Sequence, residues 1–405
     1  MNSAILLLGI TLLGAFAVGQ IFRRLGIPQV VGFIFAGLLM GPSFLAIIPT
    51  ELNENLTFIS EIALGLIGFD MGGHLHFEEL RRLGKSMFWI AVLNVLGAFL
   101  LVAGGIFLIT GSLPVALVFG ALASATAPAA TVDVLAEYNA EGPFTTTLIA
   151  VVGIDDALSL VIFSIAAAIA EAILVGSEVS WLAMVELPFI EIGESLLVGT
   201  VLGYVLSLIM KRLNNHHDSM AIVISIIFLC VGLTGPLHIS LILTTMVMGI
   251  VIVNRDPAHG TFIRFTIEQA GPVLYVLFFA LIGARLQVSL LPAMGVVGVS
   301  YIILRAIGKY AGAWLGAWLS GATRIVRNNL GLALLSQAGV AIGLAMGSYQ
   351  RFCDCGVLGE ELAALVLNVI TATTLIVQII GPIGVKLAIT RAGEIGKAHQ
   401  PTVGD

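Results

Sequence analysis

Two adjacent carboxylates, Asp155 and Asp156, lie in an apolar stretch that runs from about Thr145 to Leu174. A helix of roughly 20 apolar residues crosses a hydrocarbon core of about 30 Å. Ten helical rises of about 1.5 Å place Asp155 about 15 Å from Thr145, near mid-membrane. A carboxylate there costs about 2.5–3.5 kcal/mol even on the lenient insertion scale, so it usually binds a proton or a cation in a hydrated cavity. The pair therefore predicts an intramembrane site for protons or cations.

Charges deep in a membrane need partners, and Arg305 and Lys309 are the candidates. They are four residues apart in another apolar stretch and therefore share one helix face. A buried lysine can release its proton near neutral pH, whereas arginine cannot. Either residue could pair with Asp155, and the pair could also be a static salt bridge that locks two helices.

The composition is that of an integral membrane protein. Hydrophobic residues make up 59% of the chain and charged residues 10%, against about 25% charged in soluble domains. The apolar runs are long and continuous, whereas a membrane barrel shows alternating segments of about 10 residues. We therefore predict an all-α polytopic protein surrounded by membrane lipid, and we expect it to bind no nucleic acid.

Glycines, prolines and charged clusters divide the chain into apolar runs, which predict about thirteen transmembrane helices. These spans cover residues 3–21, 28–47, 57–72, 87–110, 113–136, 145–174, 188–210, 219–235, 237–254, 267–284, 293–320, 329–348 and 361–389. No soluble domain fits between or after them. We expect a single transmembrane transporter domain over residues 1–405, without a nucleotide-binding domain.

The basic residues predict the orientation, because loops rich in lysine and arginine stay in the cytoplasm. With the N-terminus outside, the inward loops and the tail hold fourteen of the eighteen basic residues. These are Arg23, Arg24, Arg81, Arg82, Lys85, Lys211, Arg212, Arg255, Arg264, Arg324, Arg327, Lys386, Arg391 and Lys397. We predict a protein of the cell (inner) membrane with its N-terminus outside and its C-terminus in the cytoplasm.

An odd number of spans has a consequence for symmetry. If the seventh span, 188–210, is a linker helix, six spans precede it and six follow it. The first span then runs inward and the eighth outward, so the two halves would be inverted repeats, as in many secondary transporters. Such repeats often contain discontinuous helices at corresponding positions.

The fifth helix of each half carries the signal expected of a discontinuous helix. Pro128 interrupts the fifth span, and Ser336, Gln337 and Gly339 place small and polar residues in the middle of the twelfth. If both helices unwind and cross, Asp133 could balance the positive end of the half-helix after Pro128. The alternative is that Pro128 only kinks its helix and that Ser336 and Gln337 only bond to a neighbouring helix.

Taken together, these segments resemble a known family. Gly153-Ile154-Asp155-Asp156, the Ala-Thr-Ala-Pro sequence that ends at Pro128, Lys309 with Gly316, and the segment from Ser336 to Gly339 are similar to segments of bacterial and archaeal monovalent cation/proton antiporters. The Na⁺/H⁺ antiporters with paired aspartates are the most similar group. The resemblance covers essentially the whole chain.

The resemblance implies an architecture in two moving parts. A core domain, about 87–174 and 293–389, would move against a dimerisation domain, about 3–72 and 219–284. Such proteins are usually homodimers.

The resemblance also implies roles for individual residues. Asp156 would carry the ion or the proton, Asp155 would pair with Lys309, and Thr126 would lie where the two discontinuous helices cross. Asp155, Asp156 and Thr126 would then hold the transported Na⁺. No cofactor is expected beyond the transported ions.

We therefore predict a secondary-active antiporter, and not an enzyme, that exchanges Na⁺ or Li⁺ for H⁺ by alternating access. A lysine that can release its proton predicts electrogenic exchange. Three alternatives remain: K⁺/H⁺ exchange, a Na⁺-coupled symporter of organic anions with the same architecture, and an ion channel.

Overall fold

The computed structural model describes residues 2–49, 56–175, 181–212, 216–237, 239–286, 288–337, 341, 344–345, 348, 351–352 and 355–397. Over these residues the regular elements are helices, and none is a strand. The prediction of an all-α protein is confirmed.

The described helices of the first half are α1 Asn2–Arg24, α2 Gln29–Met40, α3 Thr57–Gly73, α4 Phe77–Thr110, α5 Leu113–Ser124, α6 Pro128–Glu137 and α7 Pro143–Val175. α8, Trp181–Met210, connects this half to the second. The second half contains α9 His216–Leu237, α10 Leu241–Arg255, α11 Pro257–Arg285, α12 Gly295–Leu319, α13 Arg324–Ala333 and α14 Gly356–Ala392, with short 3-10 turns at Val288–Leu290 and Pro292–Met294.

Within the described ranges, eight helical segments are long and apolar enough to cross a membrane. Three shorter apolar segments, Gln29–Met40, Leu241–Arg255 and Gly271–Arg285, accompany them. The protein is therefore a multi-pass membrane protein. Among the described residues, Arg305 and Lys309 are the buried basic side chains.

Several predicted spans have wrong ends, and each error has a physical cause. α2 ends at Met40 and not at residue 47, because Pro42 follows and cannot donate a helical hydrogen bond. α13 begins at Arg324 and not at residue 329, because the hydroxyl of Thr323 accepts a hydrogen bond from the amide of Val326 and caps a polar first turn. α4 and α11 also begin about ten residues before their apolar runs, since hydropathy does not detect polar helical turns.

The inverted repeat is visible in how the helices pack. α2 packs on α11 through Gly37, where a Cβ atom would lie 1.9 Å from the carbonyl oxygen of Ala280. α3 packs on α10 through Gly72, where a Cβ atom would lie 1.9 Å from the carbonyl oxygen of Met246. In both contacts, the second span of one half packs on the third span of the other half. Each contact requires glycine, because only a residue without a side chain fits there.

α4 and α12, the fourth span of each half, also approach each other closely. A Cβ atom at Gly97 would lie 2.6 Å from the carbonyl oxygen of Gly308, and one at Gly312 would lie 2.1 Å from that of Leu93. Small residues let two helix backbones touch. This contact fixes where Arg305 and Lys309 of α12 enter the interior.

Candidate functional site

Two interrupted helices cross at the centre of the molecule. α5 ends at Ser124 and α6 begins at Pro128, with Ala125 and Ala127 in extended conformations between them. In the second half α13 ends at Ala333, and residues 335–337 are not helical. The amide of Ala127 donates a hydrogen bond to the carbonyl oxygen of Ser336 at 3.0 Å, which joins the two breaks. The two predicted discontinuous helices are confirmed, although Gly339 lies outside the described residues.

Pro128 explains the first break. It has no N–H group, and in a continuous helix its ring would clash with the carbonyl of the residue four positions earlier. That residue is Ser124, the last residue of α5. As the first residue of α6 it is well tolerated, because the N–H it lacks would have no helical partner there. The helix is therefore interrupted at Pro128, and the alternative of a simple kink is wrong.

Arg305 binds the backbone of both breaks. Its Nε atom donates to the carbonyl oxygen of Ala123 at 3.1 Å, and its Nη2 atom donates to those of Ala125 at 2.8 Å and Ser336 at 3.2 Å. Its Nη1 atom donates to the carbonyl oxygen of Leu335 at 2.6 Å. The C-terminal ends of helices carry partial negative charge. The guanidinium therefore neutralises the ends of α5 and α13 together, and its fork of donors suits several carbonyls at once.

Lys309 pairs with Asp155. Its Nζ atom lies 2.9 Å from Asp155 Oδ2, and both side chains are completely buried. Lys309 also donates to the carbonyl oxygen of Ser124 and to Thr126 Oγ1, each at 2.6 Å. The Thr126 hydroxyl donates in turn to Asp155 Oδ2. The partner of Asp155 is thus Lys309, while Arg305 binds backbone carbonyls.

Sequence reasoning missed one residue in this network. Asn94 of α4 is completely buried, and its Nδ2 atom donates to Asp155 Oδ1 at 2.8 Å. The signal available in the sequence was a lone amide side chain inside the apolar span 87–110. Together Lys309, Thr126 and Asn94 satisfy both oxygens of Asp155.

Asp156 is in a different environment from its neighbour. Its side chain is 5% exposed, and its Oδ1 atom accepts no hydrogen bond from the part of the chain that the structure describes. A buried carboxylate oxygen without a donor carries a desolvation cost. Of the two aspartates, Asp156 is therefore the one whose carboxylate is available to a proton or a cation.

The remaining predicted site residues lie around this centre. Gln337 Nε2 donates to the carbonyl oxygen of Leu122 at 3.0 Å and to the hydroxyl of Tyr301 at 2.7 Å, so it helps to hold the end of α5. Ser336 contributes its carbonyl oxygen to the crossing. Asp133 lies in the second turn of α6, and its role in balancing the helix dipole stays a prediction.

The chain matches a known family over most of its length. The model of the family described as sodium/hydrogen exchanger, transmembrane, matches residues 8–386. A high-affinity Na⁺/H⁺ antiporter of Synechocystis is 23% identical over 390 residues, which cover 84% of this chain and 82% of that protein. A Na⁺/H⁺ antiporter of Enterococcus hirae is 23% identical over 334 residues, with 80% and 84% of the two chains covered.

Two solved structures of a sodium proton antiporter from Methanocaldococcus jannaschii share the fold. One is 22% identical with a TM-score of 0.69, and covers 96% of this chain and 97% of its own. The other is 20% identical with a TM-score of 0.78, and covers 99% and 100%. The likeness therefore extends over the whole arrangement of helices.

Proposed function

This chain belongs to the sodium/hydrogen exchanger family, and on that basis we propose that it is a Na⁺/H⁺ antiporter that works by alternating access. The observation that carries the proposal is the site itself. A buried Lys309–Asp155 pair lies next to Asp156, whose Oδ1 atom has no donor among the described residues. Both adjoin the crossing of two interrupted helices, the usual place of the ion site in inverted-repeat transporters.

The exchange follows from competition for the same oxygens. A proton and a Na⁺ ion cannot occupy Asp156 together, so loading one releases the other. Thr126 lies in the first helix break, and its hydroxyl oxygen next to Asp155 is a further ligand for the ion. If the site is open to only one side of the membrane at a time, this competition produces exchange, and the larger gradient sets its direction.

Lys309 makes the exchange electrogenic in this proposal. A Na⁺ ion that draws Asp155 away from Lys309 leaves the ammonium buried without its counter-charge, so the lysine releases its proton. A second proton then leaves with that of Asp156, and one net charge crosses per cycle. A membrane potential contributes about 2.3 kcal/mol per charge per 100 mV to such a step.

The two-domain division and the dimer also form part of the proposal. The core, about 87–174 and 293–389, contains both breaks, Asp155, Asp156 and Lys309. The other domain, about 3–72 and 219–284, would remain still and form a homodimer, since closed two-fold dimers are the commonest homo-oligomers. Native mass spectrometry in a mild detergent that shows only monomer would contradict the dimer.

The orientation is proposed from the distribution of basic residues. Arg23 and Arg24 end α1, Arg255 ends α10 and Lys386 lies near the end of α14. The positive-inside rule places these ends in the cytoplasm. We place the protein in the cell membrane, with the N-terminus outside.

Purified protein in liposomes that contain a pH-sensitive dye tests the function. Addition of Na⁺ or Li⁺ should change the internal pH, while equal concentrations of K⁺, or of an organic anion with Na⁺ held constant, should change it much less. Exchange driven by K⁺ alone would overturn the proposed selectivity. Anion-dependent uptake of Na⁺ without proton movement would overturn antiport.

A further inference from the structure

Asn94 joins the ion site from a helix to which the proposed mechanism assigns no role. Its amide nitrogen is 2.8 Å from Asp155 Oδ1, whereas Lys309 and Thr126 both bind Oδ2. Among the described residues, Asn94 is therefore the hydrogen-bond donor to Asp155 Oδ1. The Asn94 side chain is completely buried.

The packing of α4 on α12 builds this contact. A Cβ atom at Gly312 would lie 2.9 Å from the Cα atom of Asn94, so a larger residue would push α4 away from the site. Gly312 lies three residues after Lys309 and therefore on the same face of α12. The close approach thus places Asn94 and Lys309 against Asp155 together.

The other end of the Asn94 amide carries a free-energy cost. Asn94 Oδ1 is buried and accepts no hydrogen bond from the residues that the structure describes. A buried polar atom without a partner costs free energy, and an apolar residue of similar size would avoid that cost. The asparagine is kept at that cost, and its visible contact is with Asp155.

We propose that Asn94 is a positioning residue for exchange: it keeps Asp155 oriented and charged when Lys309 releases it, and so sets the balance between Na⁺ and protons. The inference rests on the proposed antiport. Lys309 can lose its charge, whereas the amide stays neutral and remains a donor at every pH. A donor to the charged form favours that form.

Other charged groups act on the same carboxylate, so the effect of Asn94 must be separated from theirs. Lys309 contacts Asp155 directly, Arg305 lies one helical turn away on α12, and Asp156 is its neighbour on α7. Arg305 acts only through space, because its donors bind carbonyls. Glu191 of α8 is a further carboxylate that faces Asp156. None of these groups changes when Asn94 is replaced.

Asn94→Leu tests the proposal in dye-loaded liposomes. Loss of a hydrogen bond to a charged group corresponds to about a tenfold change, so the Na⁺ KM should rise about tenfold near pH 6.5, where protons compete strongly. Near pH 9, where protons are scarce, we expect it to rise less than about twofold. The control is Asn329→Leu, because Asn329 is also buried and its amide donates to the carbonyl oxygen of Ile325 in its own helix. An equal change at both pH values would show a merely structural role and overturn the proposal.

A double-variant cycle with Asp155→Asn removes the remaining ambiguity. If Asn94 acts through Asp155, thermal unfolding in detergent should show that the double variant loses less stability than the two single variants together. Additive losses would overturn the inference. A wild-type protein that exchanges no Na⁺ would instead contradict the proposed function, and the unfolding cycle would still decide whether Asn94 acts on Asp155.

Discussion

The two helix breaks have similar shapes and different contents. The first break supplies the carbonyl oxygen of Ser124 and the hydroxyl of Thr126 to Lys309. The second break supplies carbonyl oxygens to Arg305, and the amide of Gln337 to the end of α5. The first break thus contacts Lys309, which could change charge, as well as Arg305. The described contacts of the second break are with groups that keep their charge. The two halves therefore share a fold, but their helix breaks bind different groups.

This difference has a physical origin. Both breaks expose backbone carbonyls that need donors, and Arg305 satisfies carbonyls from both. The aspartate pair, in contrast, is present only in α7, and α14 carries Thr373 and Thr374 in its interior. One half therefore supplies the carboxylates of the proposed ion site, and the other half supplies the basic side chains Lys309 and Arg305.

The largest expected effect comes from Asp156→Asn, which keeps the shape of the side chain and removes its titratable charge. Because Asp156 is the carboxylate available to the ion, Na⁺-driven proton movement should fall to the level of empty liposomes. Glu171→Gln is the matched control, since Glu171 lies on the same helix and pairs at 2.6 Å with Arg351 near the surface. Exchange at a normal rate in the Asp156 variant would show that the ion is assigned to the wrong carboxylate.

Lys309→Gln should abolish the current, while Na⁺/H⁺ exchange remains detectable. Without the lysine only one proton competes with each Na⁺, so the cycle would carry no net charge. Na⁺-evoked transient currents on a solid-supported membrane should disappear, while dye-detected exchange is measured on the same preparation. If wild type exchanges without current, the electrogenic mechanism is wrong. If only a variant of Arg305 loses the current, the role belongs to Arg305.

Arg305→Met should affect stability most. It removes the donor from the carbonyl oxygens of Ala123, Ala125 and Leu335, while that of Ser336 keeps the amide of Ala127. Each buried carbonyl left without a donor costs about 1–3 kcal/mol. The free energy of unfolding should therefore fall by about 3 kcal/mol or more, seen as a lower unfolding temperature in detergent. Arg351→Met, at a partly exposed pair, should change it by less than about 1 kcal/mol. An unfolding temperature equal to wild type would mean that the carbonyls find other donors.

The smallest and sharpest effects come from one matched pair of substitutions. Thr126→Val removes the hydroxyl between Lys309 and Asp155 and should raise the Na⁺ KM about tenfold, as expected for a lost hydrogen bond to a charged group. Gln337→Leu should lower the free energy of unfolding by about 1–2 kcal/mol and leave the Na⁺ KM within about threefold. Equal effects of the two variants on KM would mean that the breaks share the ion chemistry.

Much of this arrangement could be predicted from local sequence. Apolar runs indicated the spans, Pro128 and the Ser336–Gln337 segment indicated the breaks, and Asp155–Asp156 stood out because carboxylates are rare in membranes. These features depend on residues close together in the chain. The ends of α2 and α13 were less accurate, because turn and cap hydrogen bonds, and not hydropathy, end a helix.

The sequence by itself determined the class of protein, the position of both breaks and the identity of the charged groups. Only the tertiary structure decided which group meets which. Arg305 and Lys309 share a helix face, so spacing alone could not choose the partner of Asp155. The contact of α4 with α12 places Lys309 at the depth of Asp155 in the membrane. Arg305 binds backbone carbonyls, which every residue carries and no pattern reveals. Asn94 joins the site because the glycines between α4 and α12 let its helix approach.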